Sequence, residues 1–140
     1  MEVKVEKVMN LNDLKPVQGG SESVDLEQFD KKETLIESAE IQQVKSDYTP
    51  SKKQWVLIVK SQVLATIGEG DDKIEFRASE LFNLMQDENG NLIGYPEAEG
   101  SNLAKFMKDI KAKSPAEIVG KKALIKSYLK GERTYLKFRY

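Results

Sequence analysis

Beyond residue 34 the chain alternates apolar and polar positions at period two, and once it breaks into a helical stripe. The strongest alternation is Trp55–Ile67, where Trp55, Leu57, Val59, Val63, Ala65 and Ile67 share one face and Ser61 is its lone polar member. The opposite face is apolar at first (Val56, Ile58) and mixed later, as expected of a long strand that bends and serves two neighbourhoods. Before it, Leu35–Val44 reads as a first strand, with Ala39 and Ile41 set against Glu40 and Gln42. After the glycine-flanked connection Gly68–Asp72, Ile74, Phe76 and Ala78 continue the pattern in a third strand. Ser79–Leu84 fits a strand or a helical turn, and Asn89-Gly90 marks a tight turn.

The helical stripe is Leu103, Phe106, Met107 and Ile110, at i, i+3, i+4, i+7, with Ser101 placed to cap it. Ser114-Pro115-Ala116-Glu117 has the spacing of a capping box with proline at the first helical position. Two closing strands, Lys121–Leu129 and Arg133–Tyr140, meet around Gly131. The order is three strands, a helix, then two strands. It predicts an all-β or β-rich α+β domain: a five-stranded OB-like Greek-key barrel with one helix between its third and fourth strands. An α+β sandwich has the same order. The domain is expected over residues 34–140. Residues 1–33 are expected to form an acidic, partly flexible N-terminal arm: Val3, Val5 and Val8 suit a short edge strand, Pro16–Ser23 interrupt regular structure, and Asp25, Glu27, Asp30 and Glu33 carry the acidity.

Three stretches carry a resemblance: Ile74–Tyr95, then Ser101-Asn102-Leu103-Ala104-Lys105-Phe106, then Ser114–Lys122. Together they resemble phage, archaeal-virus or plasmid proteins of OB-fold type. The resemblance implies a single-stranded DNA-binding protein of replication or recombination, located in a host cytoplasm. Its motifs are caps and core positions rather than a chemical signature, so it assigns no binding residue.

Composition narrows the chemistry. With 140 residues, 39% of them hydrophobic and 32% charged, the chain is expected to fold around a real core. It has no cysteine and no histidine, which removes disulfides, thiolate nucleophiles, the commonest zinc ligands and the commonest general base near neutral pH. No long apolar stretch suggests a signal peptide or a membrane span, and a reducing, cytoplasmic setting is expected. Asp87–Asn91 lacks the ligand spacing of a calcium loop, and Gly68-Glu69-Gly70 opens no phosphate-binding helix. No paired carboxylates suit acid–base work. An enzyme is not expected, and neither is a cofactor or a metal.

The formal net charge of −1 hides a divided molecule. Residues 1–44 net −5 and residues 45–100 net −4, whereas Ser101–Tyr140 hold eleven Lys or Arg against three Asp or Glu, a local +8. In the two closing strands the cations interleave with aromatic residues. Packing the more apolar faces inward leaves Lys126, Tyr128, Lys130, Tyr135, Lys137 and Arg139 on one exposed surface, where cations can meet phosphates and rings can stack on bases. The same pattern serves solubility and cross-strand packing on ordinary sheet exteriors. Trp55 is a core or rim residue, or else a stacking platform at the domain's mouth. Arg77 extends the basic path or pairs with neighbouring acids. Lys105, Lys108, Lys111, Lys113, Lys121 and Lys122 form a second basic patch that suits a solvated helix face. The expected function is binding of single-stranded nucleic acid, DNA ahead of RNA, with little sequence specificity. The acidic arm is a candidate contact for a protein partner. The alternative is a protein-interaction or virion-associated module that binds no nucleic acid.

Overall fold

A computed structural model of the protein describes residues 24–45 and 52–140. The expected edge strand at Val3–Val8, the break at Pro16–Ser23 and most of Asp47–Lys53, where Pro50 and Ser51 favour a turn, lie outside these residues. The described elements are β1 (Glu33–Lys45), β2 (Lys53–Ser61), β3 (Ala65–Ile67), β4 (Ile74–Phe76), β5 (Ser79–Asn83), β6 (Met85–Gln86), β7 (Leu92–Gly94), α1 (Asn102–Ile110), β8 (Lys122–Lys130) and β9 (Arg133–Arg139). Five of the strands make one antiparallel sheet in the order β5-β2-β1-β8-β9; β3–β4 and β6–β7 are separate hairpins.

This sheet is open, and the expected closed OB-like barrel is not formed. Its edges, β5 and β9, share no backbone ladder. They are joined instead by Glu80 of β5, whose carboxyl accepts the Phe138 N–H at 3.3 Å and the Tyr140 hydroxyl. A side chain thus occupies the seam where strand-to-strand hydrogen bonds would close a barrel.

The expected long second strand is also divided, and Ser61 is the reason. Its hydroxyl is fully buried, accepts the Ala78 N–H at 2.9 Å and donates to the Gln62 carbonyl at 2.8 Å. The chain leaves the sheet there and returns through the β3–β4 hairpin before β5 takes its place beside β2. The polar interruption in an apolar face is therefore a corner, with its buried polar group satisfied. In β1 the register slips between Ile36 and Ser38, a bulge that reverses which residues face inward. Ile36 is buried and Leu35 points out; beyond the bulge Ala39 packs on the core but Ile41 is 55% exposed, so the alternation expected from Leu35 onward fails on both sides of the bulge.

The helix forms as its pattern predicts. Ser101 Oγ accepts the Ala104 N–H at 3.1 Å, Leu103, Phe106, Met107 and Ile110 are buried, and Lys111 ends the helix in the left-handed region at φ 62°. The expected capping box is not formed, since neither of its two reciprocal bonds is made. Glu117 accepts the Lys113 N–H at 3.1 Å, but Ser114 makes no cap bond and the segment Pro115–Glu117 is a short 3-10 turn. Phe106 sits between the two sheet edges. Its ring lies 5.1 Å from Phe82 of β5, 5.2 Å from Phe138 of β9 and 5.6 Å from Tyr140.

Phe106→Ala should destabilise the fold by about 3–5 kcal/mol, the usual range for a fully buried phenylalanine; a chemical denaturation midpoint unchanged from wild type would refute this placement. The seam should also respond to alkali. Burial first, and the Glu80 hydrogen bond second, raise the Tyr140 pKa above its ordinary value of 10.0. The neutral phenol is therefore favoured in the fold. Its stabilisation is present below pH 10.0 and is lost as the pH climbs from there toward the raised pKa, because the unfolded phenol ionises first. Wild-type stability should fall more steeply above pH 10 than that of Tyr140→Phe; parallel curves would exclude the hydroxyl's bond to Glu80.

Candidate functional site

The β8–β9 hairpin carries the basic, aromatic strip. Its antiparallel register sets Lys126 opposite Lys137, Tyr128 opposite Tyr135 and Lys130 opposite Arg133. Opposed residues point to the same face, so these six side chains share the outer surface while Ala123, Ile125, Leu136 and Phe138 enter the core. Tyr128 and Tyr135 are 37% and 39% exposed, with ring centroids 5.8 Å apart and planes inclined by 30°. The Lys137 ammonium lies 5.4 Å from the centre of the Tyr128 ring, within cation–π range. Toward its tip the hairpin runs past the core, and Leu129 on the other face is 68% exposed.

Arg139 belongs to the strip by parity but is engaged. Its guanidinium pairs with Asp30 at 3.2 Å, and Asp30 also accepts the Ser127 N–H at 2.8 Å. Asp30 follows a 3-10 turn at Leu26–Phe29, from which Leu26 and Phe29 pack on the core. Lys31 donates its N–H to Ile125 O at 2.7 Å, and Ile125 returns one to Lys32 O at 2.8 Å. The last part of the acidic stretch is thus laid along β8 as a continuation of β1.

A cleft of about 590 Å³ lies beside the tyrosines. Tyr128, Arg133 and Tyr135 line it from the hairpin, Ile74 and Phe76 from β4, and Val24 to Glu27 from the acidic segment. Arg77 also reaches it, but as part of an ion cluster: it bonds Glu37 at 2.9 Å and the Ser61 carbonyl at 3.1 Å, and lies 3.5 Å from Glu75. Glu37 first and Glu75 second hold its pKa above the ordinary arginine value. Trp55 is half-buried against the core; its Nε1–H donates to Gly90 O at 2.8 Å, fastening the turn between β6 and β7. It does not line the cleft.

Of the sequence candidates, then, Lys126, Tyr128, Lys130, Tyr135 and Lys137 stand together. Arg139 adjoins them behind its ion pair, Arg77 reaches the cleft while paired, and Trp55 lies apart. Arg133 and the wall residues Asp25 and Glu27 were missed. Arg133 has the parity of Tyr135 and Lys137, so alternation alone locates it. The acidic wall needed the tertiary fold.

Among the described residues no helix is long and apolar enough to cross a membrane, and no group of three or more acidic side chains is arranged to hold a metal ion. No protein-family model, curated protein or solved structure matches the chain. The resemblance to viral, phage or plasmid OB-fold proteins therefore has no support, and with the open sheet it is withdrawn. The middle of the three stretches that carried it, a serine cap followed by buried Leu103 and Phe106, is what any amphipathic helix seated on a sheet requires.

The Asp30 contact makes a prediction. The Ser127 N–H first, then Arg139, hold the Asp30 carboxyl below its ordinary value of 3.8. Its stabilising contacts are thus complete above pH 3.8 and are lost as the pH falls through the lowered pKa. Asp30→Ala at neutral pH should speed amide exchange at Ser127 while Ser61, bonded to Ala78 O within the fold, stays protected. Equal exchange at Ser127 in both proteins would refute the contact.

Proposed function

We propose that the protein binds a single strand of nucleic acid along the outer face of β8 and β9, by phosphate contacts and base stacking and without bond-making chemistry. The observation that carries this reading is the exposed Tyr128–Tyr135 pair with Lys126, Lys137, Lys130 and Arg133 around it. A single strand offers unpaired bases to the rings and phosphates to the cations. Stacking is worth roughly 1–3 kcal/mol per well-made base contact and tolerates any base, so the strip itself reads no defined sequence. A duplex keeps its bases stacked inside and offers the rings nothing. The setting expected for such a protein is the cytoplasm. The described acidic residues serve the same face, since Asp30 holds Arg139 and Asp25 and Glu27 wall the cleft.

Titration of fluorescent single-stranded DNA, single-stranded RNA and duplex DNA at two salt concentrations tests the proposal. Single strands should bind in preference to duplex, and more weakly as salt rises. Replacing Lys126, Lys130 and Lys137 by Ala should weaken binding and lower the salt slope by roughly 0.7 per lost phosphate contact. Replacing Tyr128 and Tyr135 by Ala should weaken binding with little change in slope, because stacking releases few counterions. Unchanged single-strand affinity in a folded triple-lysine variant would remove this surface from the account.

A further inference from the structure

We infer that Asp30 holds the place of a phosphate. The Ser127 N–H and the Arg139 guanidinium form an anion site at the end of the tyrosine strip, and a backbone phosphate of the bound strand displaces the Asp30 carboxylate from it. This rests on the nucleic-acid reading and adds to it one phosphate position and an internal competitor for that position.

Two donors of different kinds converge on the Asp30 carboxyl. Its Oδ1 accepts the Ser127 N–H at 2.8 Å and the Arg139 Nη2 at 3.2 Å, and its Oδ2 lies 3.5 Å from the same Nη2. These bonds, Ser127 first and Arg139 after it, favour the ionised carboxyl, as an anion site should. The guanidinium is only partly used. Nη2 alone serves both carboxyl oxygens, and Nε is enclosed with no partner among the described residues. A guanidinium presents its donors as a planar fork, and a carboxylate tied to the backbone at Asp30 meets one nitrogen of it. A phosphodiester has two non-bridging oxygens and no tie to this chain. It can take the Ser127 N–H with one oxygen and the arginine fork with the other.

The site continues the strip. Lys126 opposes Lys137, and Arg139 lies two residues beyond Lys137, about 7 Å along β9 and with the same parity. A strand that stacks on Tyr128 and Tyr135 and pairs with Lys137 meets Arg139 next. The segment bearing Asp30 need not leave for this to happen. The Lys31 N–H bonds Ile125 O at 2.7 Å and the Ile125 N–H bonds Lys32 O at 2.8 Å, so the backbone can stay on β8 while the Asp30 side chain turns aside. The ion pair is also able to yield. The Arg139 and Asp30 side chains are 37% and 30% exposed, and ion pairs open to water contribute little.

The test is a double-variant cycle on (dT)20 binding with wild type, Asp30→Ala, Arg139→Ala and the two changes together, each checked for folding by its thermal melt. Asp30→Ala should tighten binding. The gain should be about fivefold larger with Arg139 present than in the Arg139→Ala background, the upper range for a partly exposed ion pair. Within Asp30→Ala, replacing Arg139 should also lower the salt slope by roughly 0.7, the value of one phosphate contact. If Asp30→Ala fails to fold, Asp30→Asn, which keeps an acceptor for the Ser127 N–H without the charge, should show the same two effects. Equal gains in both backgrounds would mean that Asp30 acts by repulsion at a distance. That result, weaker binding by the folded Asp30 variant, or an unmoved salt slope overturns the inference while leaving the tyrosine strip in place. Failure of wild type to bind (dT)20 overturns the nucleic-acid reading and the inference with it.

Discussion

Phe106 joins the two edges of an open sheet. It is the one fully buried ring on α1, and it touches Phe82 on β5, Phe138 on β9 and Tyr140 at the end of β9. A five-stranded antiparallel sheet twists, and twist alone leaves its edges apart with unpaired peptide groups. Here one aromatic side chain draws both edges around the helix, and Glu80 then spans the remaining seam to Phe138 and Tyr140. Ser101 sets where the helix starts and hence where Phe106 stands, so a single hydroxyl at a helix cap contributes to the curvature of the whole sheet.

That curvature decides which surface is left for binding. The inner face of β8 and β9 is committed to the helix through Ala123, Ile125, Leu136 and Phe138. The strip of tyrosines and cations must therefore face out, and its rings meet across the strands rather than in the core. The segment around Asp30 lies on the same two strands, where it holds Arg139 and supplies the acidic wall of the cleft. Cations and carboxylates that are far apart in the chain thus become neighbours, and both signs of charge line the cleft.

Much of the fold was legible from periodicity. The stripe Leu103–Ile110 specifies a helix and its buried face, and both closing strands were legible because each keeps a strict period of two. The shared face of Lys126, Tyr128, Lys130, Tyr135 and Lys137 follows from the same rule, and so does Arg133, which that rule includes and the candidate set omitted. The failures lie where period two is broken by something nonlocal. Ser61 looks like a polar interruption in a continuous strand until Ala78, seventeen residues away, is seen to donate to it. Glu37 looks like one more outward residue, yet the bulge beside it reverses the parity of Leu35 and places its carboxyl on Arg77.

By itself the sequence determined the local events: where the helix is capped, which residues alternate, and that the final forty residues are basic. Each depends on backbone geometry and near neighbours, which are written in consecutive positions. Only the tertiary structure decided that the sheet stays open, that Trp55 fastens a turn instead of lining the cleft, and that Asp25, Glu27 and Asp30 stand against the basic hairpin. Those outcomes depend on contacts between residues some thirty to over a hundred positions apart, such as Trp55 with Gly90 and Asp30 with Arg139. Alternation states which side of a strand a residue occupies; it carries no information about what will be packed against that side.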